Sequence, residues 1–372
     1  NMSTKHRKTV KELRETVSRV RKGEFPYQEK EPKKIDFALY NQAQINEIAD
    51  MLETIRNMVD AANKRTQKTL QSKGPGRPSA PAKDIVKVLL MQSYFGVSNR
   101  VAQGFLKLFR EKLGIASEFS YKTIERGYAP ERTKELLDEI FELTNEEGNS
   151  KEKKFSIDGT GDPASMKVNY ESKRAQQRRQ KETAKVDGAD ERVDAFPGRK
   201  HDFQYSVFSI GTTTKIIGGF STTDDHSRGE LSFFKDVVEE TLNNCPKFDT
   251  LCGDGIYANR VACALLEEHG VVPFLLPASN VTFRSKGVPL WKSMLYSLVE
   301  NPQAWLENYH SRSISESGNS MLKRREPTKV RKKLGQRKAT EEALKFNIHN
   351  IRQVGYLQYL APHLLRTDVT GD

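Results

Sequence analysis

The spacing of apolar side chains divides the chain into two regimes. Between residues 40 and 66, Ile45, Ile48, Met51, Leu52, Ile55, Met58 and Val59 recur at three- and four-residue steps, which predicts one amphipathic helix. The same period persists from 83 to 145. Val86, Leu89, Leu90 and Tyr94 form one face that ends near Gly96. Ser98 is placed to cap a second helix bearing Val101, Phe105, Leu108 and Phe109. A third opens at Ser120, Tyr121, Lys122 and continues through Arg126. Beyond a polar hinge at 146–154 the pattern alternates. Residues 154–160, 204–210 and 215–220 read as strands, the last two joined as a hairpin by 211–214. Then come a helix (231–243), a strand (248–253), a helix (259–269), a strand (271–276) and helices over 311–325 and 340–359. That order predicts an α/β domain with a mixed sheet over 153–360, preceded by an all-α region at 83–145.

The segments between these elements are polar. Residues 1–34 hold Arg7, Lys8, Lys11, Arg14, Arg19, Arg21 and Lys22 and read as a mobile arm, or a helix that orders on a partner. With the following helix they form a first unit, 1–70, suited to DNA binding or dimerisation. Residues 71–82 are a Gly/Pro linker whose Gly76-Arg77-Pro78 resembles an AT-hook, an extended element that inserts Arg77 into a narrow minor groove. In 83–145, helix, short turn, helix, then a helix opening on small polar and basic residues is a helix-turn-helix layout. Ser120, Tyr121 and Lys122 would lead that third helix into a major groove.

Charge sharpens the partner class. The chain has 372 residues, with 61 Lys+Arg against 49 Asp+Glu, a formal net charge of +12. Such an excess favours a polyanion. No apolar run long enough to span a bilayer is present, which argues against a membrane protein. Cys245, Cys252 and Cys263 are an odd set without CxxC spacing, suited to a reducing cytoplasm and offering no zinc site.

Three acids supply the candidate chemistry. Asp158 follows Phe155-Ser156-Ile157, and Asp254 follows Leu251-Cys252-Gly253. Each precedes a glycine, so both are expected at the carboxyl ends of strands, where open α/β sheets place their sites. Glu316 lies in the 311–325 helix. At roughly 100° per residue, Tyr309, Arg312, Glu316 and Lys323 fall in one narrow arc, with Ile314, Gly318, Met321 and Leu322 opposite. One face would pack on the sheet and the other present a carboxylate flanked by cations. Downstream, Lys323, Arg324, Arg325, Lys332 and Lys333 belong to a dense basic run suited to phosphate contact. Trp291 and Trp305 are assigned to core packing.

The spacing Tyr309-(two)-Arg312-(three)-Glu316-(six)-Lys323 resembles the Y-R-E-K signature of bacterial and archaeal insertion-sequence DDE transposases. Ser156-Ile157-Asp158-Gly159-Thr160 and Asp254-Gly255-Ile256-Tyr257 are similar to the two aspartate strands of that group, and Phe346-Asn347-Ile348 to the start of its last helix. Gly318 and Asn319 depart from it, since relatives more often carry bulkier residues there. The resemblance implies an RNase H-like catalytic domain. Asp158, Asp254 and Glu316 would hold two Mg²⁺ or Mn²⁺ ions, and Tyr309, Arg312 and Lys323 would hold DNA. It further implies binding of transposon terminal inverted repeats, end cleavage, joining of the 3′-OH to target DNA, a homodimeric synaptic complex and a prokaryotic, nucleoid-associated setting. Two rivals stand beside it: a transposase-derived DNA-binding regulator without catalysis, and a metal-dependent nuclease of the same fold.

Overall fold

A computed structural model describes residues 8–26, 35–66, 80–164, 203–225, 228–325 and 329–366. Arg77 and most of the linker lie outside these residues.

The sheet is built on β1 (Lys154–Pro163). Strand β2 (Phe203–Gly211) pairs antiparallel with it and β3 (Ile217–Thr223) antiparallel with β2. On the other side, β4 (Thr250–Gly253) and β5 (Val272–Leu275) run parallel to β1, giving the order β3-β2-β1-β4-β5. The parallel pairs are reached through crossovers containing helices, as parallel neighbours require. Here α7 is Phe234–Asn244, entered by a 3-10 turn at Glu230–Phe233, and α8 is Arg260–Glu268.

Period-two alternation sorts the β1 side chains. Phe155 and Ile157 join Val207, α7, α8, α9 (Pro289–Glu300) and α10 (Pro302–Tyr309) in one core. Ser156 and Asp158 face the other layer, where Phe208, Ile210 and Ile217 pack on Phe141, Leu322 and Phe346. Trp291 and Trp305 are buried in the first core, as their assignment to packing requires. Helices α9 and α10 fall outside the elements expected from the sequence, although Trp291, Met294, Leu295, Leu298 and Val299 recur at helical steps on α9 and each helix opens with a proline in its first turn, at Pro289 and Pro302.

The helical region comprises α2 (Phe37–Thr66), α3 (Ala82–Phe95), α4 (Asn99–Phe109), α5 (Tyr121–Gly127) and α6 (Pro130–Gly148). Ser98 caps α4 by accepting from the Val101 N–H. The last helix, α12 (Gly335–Leu360), belongs to both regions. Leu344, Ile348 and Ile351 enter the core of the bundle, while Phe346 enters that of the sheet. Asn350 bonds both backbone groups of Ile217, donating to its carbonyl at 2.9 Å and accepting from its N–H at 2.8 Å.

The expected polar hinge at 146–154 is therefore a staple. Asn145 donates to the Ile217 carbonyl, and Glu152 accepts the Thr213 and Thr214 N–H groups at 2.9 and 3.0 Å. These side chains are polar because they cap the β2–β3 hairpin, a use that sequence polarity alone does not distinguish from solvent exposure. The N-terminal arm also differs from expectation. Residues Val10–Arg21 form α1, which docks through fully buried Leu13 and Val17 on the core of the sheet region.

All three cysteines are fully buried. Burial pushes the Cys252 and Cys263 thiols up to about 12 and Cys245 further still. Only a thiolate is nucleophilic, so the native protein is expected to resist alkylation at all three positions and to label fully in denaturant. Mass spectrometry showing a stoichiometric native adduct would contradict this packing.

Candidate active site

Pairing of β1 with β4 ends at Ile157 opposite Gly253, so the next residues, Asp158 and Asp254, leave the parallel pair at the same level. Asp254 ends its strand as expected and caps a 3-10 turn, Gly255–Tyr257. Asp158 does not. Strand β1 continues to Pro163, because β2 goes on pairing through Pro163 opposite Phe203. Gly159 is no breaker. A Cβ there would stand 2.1 Å from Tyr205 Oη and 3.1 Å from Glu230 Cδ, so glycine makes room for those side chains.

Tyr309, Arg312 and Glu316 arrive on three consecutive helical pieces: α10, a 3-10 turn at His310–Arg312, and α11 (Ser313–Arg325). The sheet anchors their junction. Lys154 Nζ donates to Asn308 Oδ1 at 2.6 Å, and Ser156 Oγ donates to the Arg312 carbonyl at 3.1 Å. Trp305 stacks on Tyr309 with ring centroids 5.0 Å apart. On α11, Gly318 packs directly on β2, where a Cβ would meet Ile210 Cδ1 at 2.7 Å. That contact explains why no bulkier residue stands there. The neighbouring Asn319 donates to Asp158 Oδ2 at 2.9 Å.

The electrostatics bring the three acids into one field. Burial pushes the Asp158 carboxyl up to about 6, and the negative charges of Glu230 and Glu316 add to the rise. Arg312 Nη1 pairs with Glu316 Oε1 at 2.7 Å. Burial opposes its charge, but Tyr309, Glu316, Asp254 and Asp158 outweigh that cost and hold the guanidinium protonated. Burial likewise raises the Tyr309 hydroxyl, with Arg312 and Arg21 opposing and Asp254 and Glu316 adding.

Two residues without a sequence signal sit here. Glu230, in the turn before α7, accepts a hydrogen bond from Tyr257 Oη, and its charge bears on Asp158 more strongly than that of Glu316. Asn319 is the other. Neither belongs to an apolar period, and only the sheet's closure places them.

The donor set fits a hard divalent cation in kind. It is all oxygen, and beside Asp158 the buried Asn319 Oδ1 has no hydrogen-bond partner. As placed, however, no three acidic, His or Cys side chains among the described residues converge closely enough to hold an ion, and Glu316 is tied to Arg312.

The remaining expected contacts divide. Lys323, Arg324 and Lys333 are exposed, and Arg325 lies 5.1 Å over the Tyr356 ring. Lys332 is turned inward onto Glu125 at 2.6 Å, joined by Arg337 at 2.9 Å, while Glu341 accepts the Arg331 and Lys332 N–H groups. The basic run therefore meets acids from distant segments that its own sequence does not show. In the bundle, Ser120 precedes α5 and Lys122 is exposed on it, while the Tyr121 N–H donates to Gln103 and Arg100 lies over the Tyr121 ring. Ser98, Asn99, Arg100, Tyr121, Lys122, Glu125 and Arg126 line an open cavity of about 490 Å³, three cations against one acid.

The chain is a mixed α/β fold, a five-stranded mixed sheet behind a helical N-terminal region, with Asp158 inside β1 and Asp254 just after β4, an arrangement consistent with the domain architecture of a transposase. The particular relative found is the probable transposase for insertion sequence element ISA1214 of Archaeoglobus fulgidus, 27% identical over 317 residues, covering 84% of each chain. That similarity supports an insertion-sequence transposase. No family model matches the chain, and no solved structure matches it.

Proposed function

We propose that the protein is a DDE-type DNA transposase that binds the terminal inverted repeats of its element, cleaves the ends and joins the freed 3′-OH to target DNA. The observation that supports this most is that Asp158 and Asp254 leave the paired strands β1 and β4 at the same level, with Glu316 near enough for its charge to raise the Asp158 carboxyl.

Asp158, Asp254 and Glu316 would hold two Mg²⁺ or Mn²⁺ ions, which supply an activated oxygen nucleophile and stabilise the leaving oxygen of an in-line displacement. The chain's own residues prepare that step. Gly318 lets α11 approach β2, which sets Glu316 beside the strand bearing Asp158. Asn319 fixes the rotation of the Asp158 carboxylate. Arg312, a planar guanidinium, is suited to a phosphate once Glu316 releases it. Tyr309, held by Trp305, walls the site beside Asp254, and Lys323 extends the cationic surface along α11. Lys122, Arg100 and Arg126 give the bundle a cationic groove for the element's ends, and Lys333 with Arg324 and Arg325 adds backbone contact. A homodimer pairing two ends completes the proposal.

The test is Mg²⁺-dependent cleavage of DNA carrying the element's flanking repeats, comparing the native protein with Glu316→Gln. Repeat-specific nicking that leaves a 3′-OH, lost in the variant while binding persists, is the expected outcome. Binding without cleavage in Mg²⁺ or Mn²⁺ would favour the regulator, and cleavage indifferent to the repeats would favour a nuclease.

A further inference from the structure

The N-terminal helix reaches the candidate active site from the far end of the chain. A capping box between Thr9 and Glu12 starts α1. Its buried face, Leu13 and Val17, enters the same core as Tyr257, Leu275 and Trp291. Two arginines seven residues apart, hence two turns apart on one side of the helix, grip the loop after β5. Arg14 donates to the Val281 and Asn280 carbonyls at 3.2 and 3.3 Å, and Arg21 Nη2 donates to the Pro277 carbonyl at 2.8 Å. The docking leaves Arg21 Nη2 3.7 Å from where a Cβ on Gly255 would stand, one residue beyond Asp254. Its positive charge reaches the Tyr309 hydroxyl, as do the charges of Arg312, Asp254 and Glu316.

The cations around Arg21 are occupied otherwise. Arg19 and Lys22 pair with Glu24, and Lys11 with Glu15. Arg21 has no acidic partner among the described residues, and its guanidinium uses one nitrogen on a neutral carbonyl. A guanidinium fixed beside Gly255, one residue beyond Asp254, exposed and without an acid of its own, is placed for a ligand that carries negative charge to that end of the sheet.

We propose that Arg21 is a phosphate-binding residue of the candidate active site, contacting the backbone of the nucleic-acid strand presented to Asp158, Asp254 and Glu316. This rests on the DNA-cleaving reading above. On this proposal α1 is a working part of the catalytic region. It differs from the other expected phosphate contacts in coming from a segment that precedes the whole bundle.

The experiment uses the full chain with Arg21→Gln, which keeps a donor for Pro277 but loses the charge, alongside Arg21→Lys and the nearby Arg19→Ala. Fluorescence anisotropy on a labelled repeat duplex gives Kd at several salt concentrations, and steady-state cleavage at varied DNA concentration gives KM and kcat. Arg21→Gln is expected to weaken binding about tenfold on any sequence and to reduce the salt slope by about one. KM should rise in step, Arg21→Lys should restore most of the loss, and thermal melting should be unchanged. Arg19→Ala should match the native protein. A Kd and slope for Arg21→Gln within about twofold of native, or an equal loss in Arg19→Ala, would overturn the proposal. Absence of cleavage by the native protein, or cleavage surviving Asp158→Asn, would instead sink the catalytic reading, and the anisotropy would still decide whether Arg21 holds phosphate.

Discussion

Asp158→Asn is expected to abolish cleavage, by about 10³-fold or more, and at the same time to stabilise the metal-free protein. A thousandfold loss corresponds to about 4 kcal/mol of transition-state stabilisation. The stability gain follows from the same cause. Burial and the charges of Glu230 and Glu316 raise the Asp158 carboxyl to about 6 from an ordinary value of 3.8. Between those values the folded protein binds a proton that the unfolded chain has released. Stability from this group is thus fully present below about 3.8 and lost as pH rises through 6. Above pH 7 the ionised form costs roughly 1–3 kcal/mol. Asparagine removes that cost while keeping the size of the side chain. In EDTA the variant should therefore melt above the native protein at pH 8, with the gap closing towards pH 4. A variant that melts lower at pH 8 would show that the Asp158 charge is compensated in the fold.

The second large effect lies four residues along the same strand. Lys345 on α12 is buried between Asp162, at 2.5 Å, and Glu342, at 3.0 Å. Burial pushes the Glu342 carboxyl up, and burial resists the Lys345 charge until the two acids outweigh it. Lys345→Met removes the only cation bonded to either carboxylate among the described residues and leaves them facing each other. Breaking a buried pair in this way costs about 3–5 kcal/mol. The loss should grow with pH above the ordinary carboxyl range, because Glu342 must then ionise beside Asp162 without a counter-charge. Urea unfolding at pH 5 and pH 8 checks both parts. The double change Lys345→Met with Glu342→Leu should recover much of the loss, and failure to do so would mean that the lysine acts through packing alone.

The site's motif was legible because it is local. Tyr309, Arg312 and Glu316 lie within eight residues, and their common arc follows from helical geometry even though a 3-10 turn interrupts the helix at Arg312. The succession of strands and helices along the chain followed from alternation and segment length. What was not legible depends on contacts between distant segments. Gly159 reads as a strand breaker until Tyr205 and Glu230 are seen to need its space. Lys332 reads as a phosphate contact until Glu125, some two hundred residues earlier, is found beside it. The apolar stripe of α1 is only two buried residues long, Leu13 and Val17, too short for periodicity to say what it covers. Polar residues at 146–154 gave the opposite impression from the role of Glu152, since capping a hairpin and facing water call for the same side chains.

The double allegiance of α12 has a consequence for synthesis. Its Leu344, Ile348 and Ile351 complete the bundle, and its Phe346 and Asn350 complete the sheet. A nascent chain that has emerged only as far as residue 334 holds every acid of the candidate site and the whole core around Phe155 and Ile157, but it leaves the bundle and the opposite face of the sheet uncovered. The bundle and that face of the sheet keep apolar surface uncovered until α12 is in place, so one late element joins the two regions.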